Sequence, residues 1–173
     1  MNWTQALFEV IDMRSFSNLW YWIGLAILWS SISHWVLGVP FDLIQRARKY
    51  GGQAEQDLAD MVRINVNRLL HIAQVSGLVL LGVVFFVLTS LAILAFWYDV
   101  EFAQASFLIL FPLTIVGAVC LSTSRLIDAR QLEGEGLRKA LMRHRLWTQI
   151  IGMIAIFVTA MWGMIHNLAT PGF

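Results

Sequence analysis

Four long stretches of this chain contain no charged side chain, and they constrain its fold more than any other feature. They cover residues 15–41, 69–98, 102–124 and 146–173. About 20 consecutive apolar residues cross the hydrocarbon core of a bilayer as an α-helix. The apolar runs do not alternate with polar residues, as the strands of a membrane β-barrel would. The sequence therefore predicts transmembrane helices at about 18–39, 73–97, 104–124 and 147–168.

The overall composition agrees with a membrane protein. Of the 173 residues, 58% are hydrophobic and 13% are charged, whereas a soluble domain carries about 25% charged residues. A net charge of +1 lacks the basic excess of a nucleic-acid-binding domain. The composition therefore argues against a soluble enzyme, a disordered chain and a nucleic-acid binder, and the length fits a single integral membrane domain over residues 1–173.

The predicted fold class is all-α, a polytopic four-transmembrane-helix bundle built from two helical hairpins. The loops within the hairpins cover about residues 40–72 and 125–146. Apolar residues recur at helical spacing over residues 54–70, a segment without Gly or Pro, so we expect the second helix to begin near Ala54 and to end near Trp97. By the same reasoning the fourth helix begins near Leu137. Both loops would then be helical cytoplasmic extensions of the bundle.

The basic residues predict the orientation of the bundle. Eleven of the twelve Lys and Arg residues lie in the two long loops, and the positive-inside rule places such loops in the cytoplasm. The acidic residues Glu9 and Asp12, which precede the first apolar run, argue against a signal peptide. Ten Arg against two Lys is a usage common in GC-rich bacterial genomes. We therefore expect a multi-pass protein of the bacterial inner membrane with both termini in the periplasm.

The two hairpins resemble each other in sequence. At an offset of 75 residues, Arg63 aligns with Arg138 and Gly77 aligns with Gly152. Both loops are basic, and each contains a pair of closely spaced glycines. This pattern is typical of a parallel repeat about an axis along the membrane normal, but any two helices capped by basic residues would also look alike.

The basic loops are the first candidate binding site. Clustered Lys and Arg residues beside a membrane span attract anionic lipid or an acidic partner. This pattern favours a non-enzymatic membrane subunit or scaffold that assembles with itself or with a larger membrane complex. The candidate residues are Arg46, Arg48, Lys49, Arg63, Arg68, Arg125, Arg130, Arg138, Arg143 and Arg145.

A stripe of polar residues provides a second candidate site. Residues spaced three and four apart share one face of a helix, and the second helix carries such a stripe from its basic start into its apolar run. With polar residues of the first and fourth helices it predicts a polar vestibule, which would suit the mouth of an oligomeric pore or small-solute channel. The same side chains would equally hold helices together by hydrogen bonds. They are His34, Asp60, Asn67, His71, Gln74 and Gln149.

A cofactor or an enzymatic activity is a further alternative. His34 and His71 lie near the inner ends of two adjacent predicted helices, and two facing imidazoles can ligate a b-type haem. The chain contains no HExxH motif and no Gly-rich phosphate loop, so we expect neither a metal site nor a catalytic residue of those classes.

One segment resembles a known family of membrane enzymes. The run Arg46–Gly51 (RARKYG), followed by Arg63 and Asn67, resembles the MAPEG family of glutathione- and eicosanoid-metabolising membrane proteins. The resemblance covers about 25 residues and implies a four-helix, trimeric enzyme with an outer N-terminus. The family's pattern places a Glu at the position of Leu70, and its second cytoplasmic loop is shorter and less charged.

Overall fold

The computed structural model describes residues 16 and 18–169, which are nearly all helical. The described part contains five helices and one two-stranded hairpin. In chain order these elements are α1 Leu19–His34, β1 Trp35–Val36, β2 Val39–Pro40, α2 Phe41–Tyr50, α3 Gly52–Phe96, α4 Glu101–Arg130 and α5 Gly134–Ala169.

Three helices of the described part, α3, α4 and α5, are long and apolar enough to cross a membrane. The 45 residues of α3 extend over about 68 Å at 1.5 Å per residue, more than twice the thickness of a bilayer core of about 30 Å. The prediction that this helix begins near Ala54, well before its apolar run, is confirmed by its start at Gly52. The early start of the last helix is confirmed as well, since α5 begins at Gly134.

The first predicted span is wrong at its C-terminal end. A continuous helix over residues 18–39 was expected, but α1 ends at His34 and is only 16 residues long. Leu37 and Gly38 both have positive φ angles, 52° and 75°, as a tight turn of the type that joins two antiparallel strands requires. Trp35 therefore pairs with Pro40, and the chain leaves the helix one turn earlier than its hydropathy indicates.

The helices pack in the order α1, α5, α4 and α3. Small residues on α5 allow α1 to approach closely. A Cβ atom added at Gly152 would lie 2.8 Å from Cε3 of Trp29, and one added at Gly163 would lie 3.3 Å from Cζ2 of Trp22. The aromatic side chains of α1 thus lie over two glycines of α5, which fixes α1 on that side of the bundle.

The end of the bundle that carries the loops, here called the basic end, has its own hydrophobic core. The β1–β2 hairpin and α2 fold back against the start of α3, the end of α4 and the start of α5. Asn65 of α3 donates a hydrogen bond to the carbonyl oxygen of Gly38 at 3.2 Å, which fastens the turn to the helix. The buried apolar side chains of this core are Val36, Leu37, Val39, Ile44, Ala47, Leu58, Val62, Val66, Ile127, Leu137, Ala140 and Leu141.

The opposite end, here called the aromatic end, is joined by a buried amide. Gln104 is 1% exposed, and its Nε2 donates to the carbonyl oxygen of Ala95 at 2.9 Å and to Asp99 at 2.6 Å. Its Oε1 accepts a hydrogen bond from the indole of Trp162 at 3.0 Å. One side chain of α4 therefore ties together α3, the α3–α4 turn and α5.

Candidate functional site

Most of the predicted basic residues are displayed on the surface of the basic end. Eight of the ten are exposed, and only Arg138 and Arg145 are partly buried. The two loop segments, residues 40–72 and 125–146, together hold eleven basic and seven acidic residues, so this end is net positive. The core beneath it holds the backbone of the surface in place, because α2 and the starts of α3 and α5 pack on one another.

The two partly buried arginines connect the elements of the basic end. Arg138 of α5 forms an ion pair with Glu55 near the start of α3. Arg145 lies over the ring of Phe41, 3.5 Å from its centroid, and its Nε donates to the carbonyl oxygen of Ser33 at 3.4 Å. These two residues therefore act first as links between helices.

A groove between α2 and α5 collects basic side chains on this surface. It has a volume of about 460 Å³, and its walls include Arg48, Arg138 and Lys139. Glu135 also lines the groove and pairs with Lys139 at 2.7 Å. The groove is therefore a basic surface depression whose charge is partly neutralised by its own acidic residue.

The predicted vestibule residues lie mainly on the outer face of the bundle. All six are exposed except Gln149, which is partly buried. Asp60 pairs with Arg63 at 3.1 Å on the surface, and both line, with Asn67, a groove between α3 and the end of α4. Counted back from Trp97, the 20 residues that a bilayer crossing requires end near Gly77. In a crossing counted this way, the stripe would lie level with lipid headgroups or beyond them.

The two histidines considered for haem are both exposed. The ring of His34 contacts that of Trp35 edge to face, with centroids 6.1 Å apart. A b-type haem needs a buried slot between two facing imidazoles. These two exposed side chains do not form such a slot. Among the residues that the structure describes, no group of three or more His, Cys, Asp or Glu side chains is arranged to hold a metal ion.

A cleft of about 620 Å³ lies where the bundle meets the basic end. It separates α1 and the hairpin on one side from α3 on the other, and α4 and α5 form its floor. Most of its wall is apolar, whereas Asn65 and Arg68 of α3 stand at its basic end. This volume falls within the range of about 300–1,000 Å³ that is usual for small-molecule sites.

The floor of the cleft contains a polar cluster centred on His144, which is 4% exposed. Its Nδ1 lies 3.2 Å from Oγ1 of Thr123, and its Nε2 lies 3.6 Å from Sγ of Cys120. Thr148 donates to the backbone carbonyl oxygen of His144 at 3.1 Å. Beside them, the hydroxyl of Ser124 is fully buried and has no hydrogen-bond partner among the residues that the structure describes. The cluster offers hydrogen-bonding groups beneath an apolar cleft.

Sequence reasoning selected mainly the stripe on α3, together with His34 of α1 and Gln149 of α5. The polar residues that the structure buries in the basic half are others, namely His144, Thr148 and Ser124 on α4 and α5. The only signal for them was the run of hydroxyl residues 122–124 before Arg125. That run indicates polar contact without indicating which helix supplies the partner.

No family model matches the chain, and no characterised protein or solved structure is significantly similar to it.

Proposed function

We propose that this chain is a non-enzymatic subunit or scaffold of a bacterial inner membrane. In this proposal α1, α3, α4 and α5 all cross the bilayer as a four-helix bundle, and the basic end lies in the cytoplasm. The bundle assembles with itself or with a larger membrane complex, and the basic end contacts an acidic partner surface or anionic headgroups. The observation that carries the proposal is the folded basic end, where eight of ten candidate cationic side chains are exposed.

The lateral surface of α3 supports assembly. Only 6% of its most apolar 18-residue window is buried within the chain, so lipid or a neighbouring helix must cover the remainder. Gly77 and Gly82 lie in this region, and a Cβ atom at either would meet nothing within 4 Å. Small residues on an uncovered face let a second transmembrane helix approach closely.

The charge of the basic end supports contact with an anionic surface. Arg46, Arg48 and Arg143 are exposed, and each cationic residue near an anionic membrane surface contributes about 1 kcal/mol of attraction. Because the hairpin and α2 are packed on a core, these cations are presented without ordering a flexible loop first.

The mass of the purified protein in mild detergent tests the proposal. We expect the protein mass of the particle, without its bound detergent, to exceed that of one 19.7 kDa chain. The triple variant Arg46→Gln, Arg48→Gln and Arg143→Gln should have a lower protein mass or lose its bound partner. The matched triple Arg→Lys variant keeps the charge and should behave like the wild type. A wild-type particle that is a bare monomer without a partner, or an assembly that the triple Gln variant leaves unchanged, contradicts the proposal.

A pore is the second candidate only in an oligomeric form. Because His71 and Gln74 lie on the outer face of α3, a path lined by them would have to form between copies of the chain. Liposomes containing the protein should then release a small ionic dye faster than protein-free liposomes. Equal release rates from the two kinds of liposome would exclude the pore.

A further inference from the structure

We propose that the cleft between α1 and α3 binds one acyl chain of an anionic amphiphile, with the anionic group held at Arg68. The ligand class is an anionic phospholipid of the inner leaflet or a free fatty acid, which share a long apolar chain and a negatively charged end. This site is separate from the basic groove between α2 and α5.

The cleft is apolar along most of its length and polar at one end, as such a ligand is. Leu113, Val116 and Ile72 line its deeper part, whereas Arg68 and Asn65 line the part at the basic end. Between Leu113 and Ser124 the cleft follows α4 for about 16 Å, at 1.5 Å per residue. An extended apolar chain can lie along this length only if its polar end points towards the basic end.

The position of the cleft favours entry from the membrane. α1 packs on α5 rather than on α3, so the cleft lies between two helices that do not close over it. Trp35 stands at its rim with 52% of its surface exposed, and indole rings favour the level of lipid headgroups. Counted inward from the aromatic end, a bilayer crossing along α4 also ends near residue 122, so the polar part of the cleft lies at headgroup level.

Two features of the wall are compatible with a bound molecule. Ser124 is among the lining residues, and its buried hydroxyl has no hydrogen-bond partner among the described residues, which is rare in folded proteins. Gly117 also lines the cleft, and a Cβ atom there would meet nothing within 4 Å. In the described residues Arg68 forms no ion pair, so its charge is available to an anion.

Photocrosslinking in nanodiscs tests the proposal. The probe is a phosphatidylglycerol with a diazirine on one acyl chain, present at a low fraction in phosphatidylcholine nanodiscs that contain the wild-type protein. We expect labelled peptides from residues 113–124 of α4 and from the α3 segment around Ile72. A parallel arm with a diazirine fatty acid distinguishes the two sources of the chain, and the arm that labels more strongly identifies the preferred one.

Matched variants separate the cleft from the general lipid surface. Gly117→Phe fills the cleft and should remove most of the label at these peptides, whereas Gly24→Phe, at an equally open glycine of α1 outside the cleft, should leave the label unchanged. Arg68→Gln should lower the label about tenfold, since a hydrogen bond to a charged group is lost, whereas Gln56→Ala, a change at an exposed residue outside the cleft, should not.

Three results would overturn the proposal. The first is equal labelling by a phosphatidylcholine probe, because the anionic end would then have no role. The second is unchanged labelling of the α4 peptides in Gly117→Phe. The third is unchanged labelling in Arg68→Gln, an exposed substitution that leaves the fold intact and so keeps the test decisive if Gly117→Phe fails to fold.

Discussion

At the scale of single residues, this chain places its few buried polar groups where helices meet. Gln104 satisfies three of its hydrogen-bonding positions at the aromatic end, and His144 has partners on both ring nitrogens at the opposite end. A buried polar group that loses its partner costs about 1–3 kcal/mol. Such residues therefore help to determine which helices pair.

The first prediction concerns Gln104. We expect Gln104→Leu to lower the free energy of unfolding by about 1–3 kcal/mol, because the partly buried indole of Trp162 and the buried carbonyl of Ala95 lose their partner. The matched variant Gln56→Leu changes an exposed glutamine and should have almost no effect. Thermal unfolding in detergent, followed by circular dichroism, measures both. Equal melting temperatures for the two variants would contradict the bridging role of Gln104.

Residues that align between the two hairpins can lie in different environments. Gly77 and Gly152 align in the two hairpins, but an added Cβ at Gly77 meets nothing, whereas one at Gly152 meets the ring of Trp29. Likewise Arg63 pairs with Asp60 on the surface, while Arg138 joins two helices through Glu55. These differences depend on which helix lies opposite, and hydropathy carries no information on that.

The second prediction uses this pair of glycines. Gly152→Val should destabilise the protein by about 1–3 kcal/mol, because the new side chain overpacks the contact with Trp29. Gly77→Val introduces the same residue at an open helical position and should not destabilise the fold. A Gly152→Val protein as stable as Gly77→Val in denaturant or heat would mean that α1 does not pack on α5 as described.

At the scale of elements, the starts of the long helices α3 and α5 could be predicted, whereas the end of α1 could not. The early starts of α3 and α5 followed from helical spacing of apolar residues in otherwise polar loops, a local property. The end of α1 depends instead on the turn at Leu37 and Gly38, and on the burial of Val36 and Val39 against α2 and α3. Tertiary packing overrides the apolar run that predicted a continuous helix to residue 39.

The third prediction concerns the hairpin. Asn65→Ala removes the hydrogen bond to the carbonyl oxygen of Gly38 and should loosen the turn, with a loss of about 1 kcal/mol. Hydrogen exchange followed by mass spectrometry should then show faster exchange of the peptide that covers residues 35–40. The control Asn67→Ala, on the exposed face of the same helix, should leave that exchange unchanged. Equal exchange in both variants would show that Asn65 does not hold the turn.

At the scale of the whole molecule, the chain joins an apolar helical bundle to a folded basic end. Three helices of the described part are long and apolar enough to cross a membrane, while α1 has 16 residues and spans about 24 Å. The sequence predicts that both termini lie in the periplasm, and both fall outside the described residues 16 and 18–169. Whether α1 crosses with the other three helices is therefore the point on which the four-helix proposal depends.

Labelling of single cysteines with a membrane-impermeant maleimide tests this central claim most directly. Cys120 is first replaced by Ala. Single cysteines are then introduced in separate variants, Asn18→Cys, Tyr98→Cys, Lys49→Cys and Arg130→Cys. Each variant is expressed in bacteria, from which spheroplasts are prepared. The account predicts that positions 18 and 98 react in intact spheroplasts, and that positions 49 and 130 react only after the membrane is permeabilised. Labelling of position 18 only after permeabilisation, with position 98 still reactive from outside, would show that α1 does not cross and would contradict the four-helix bundle.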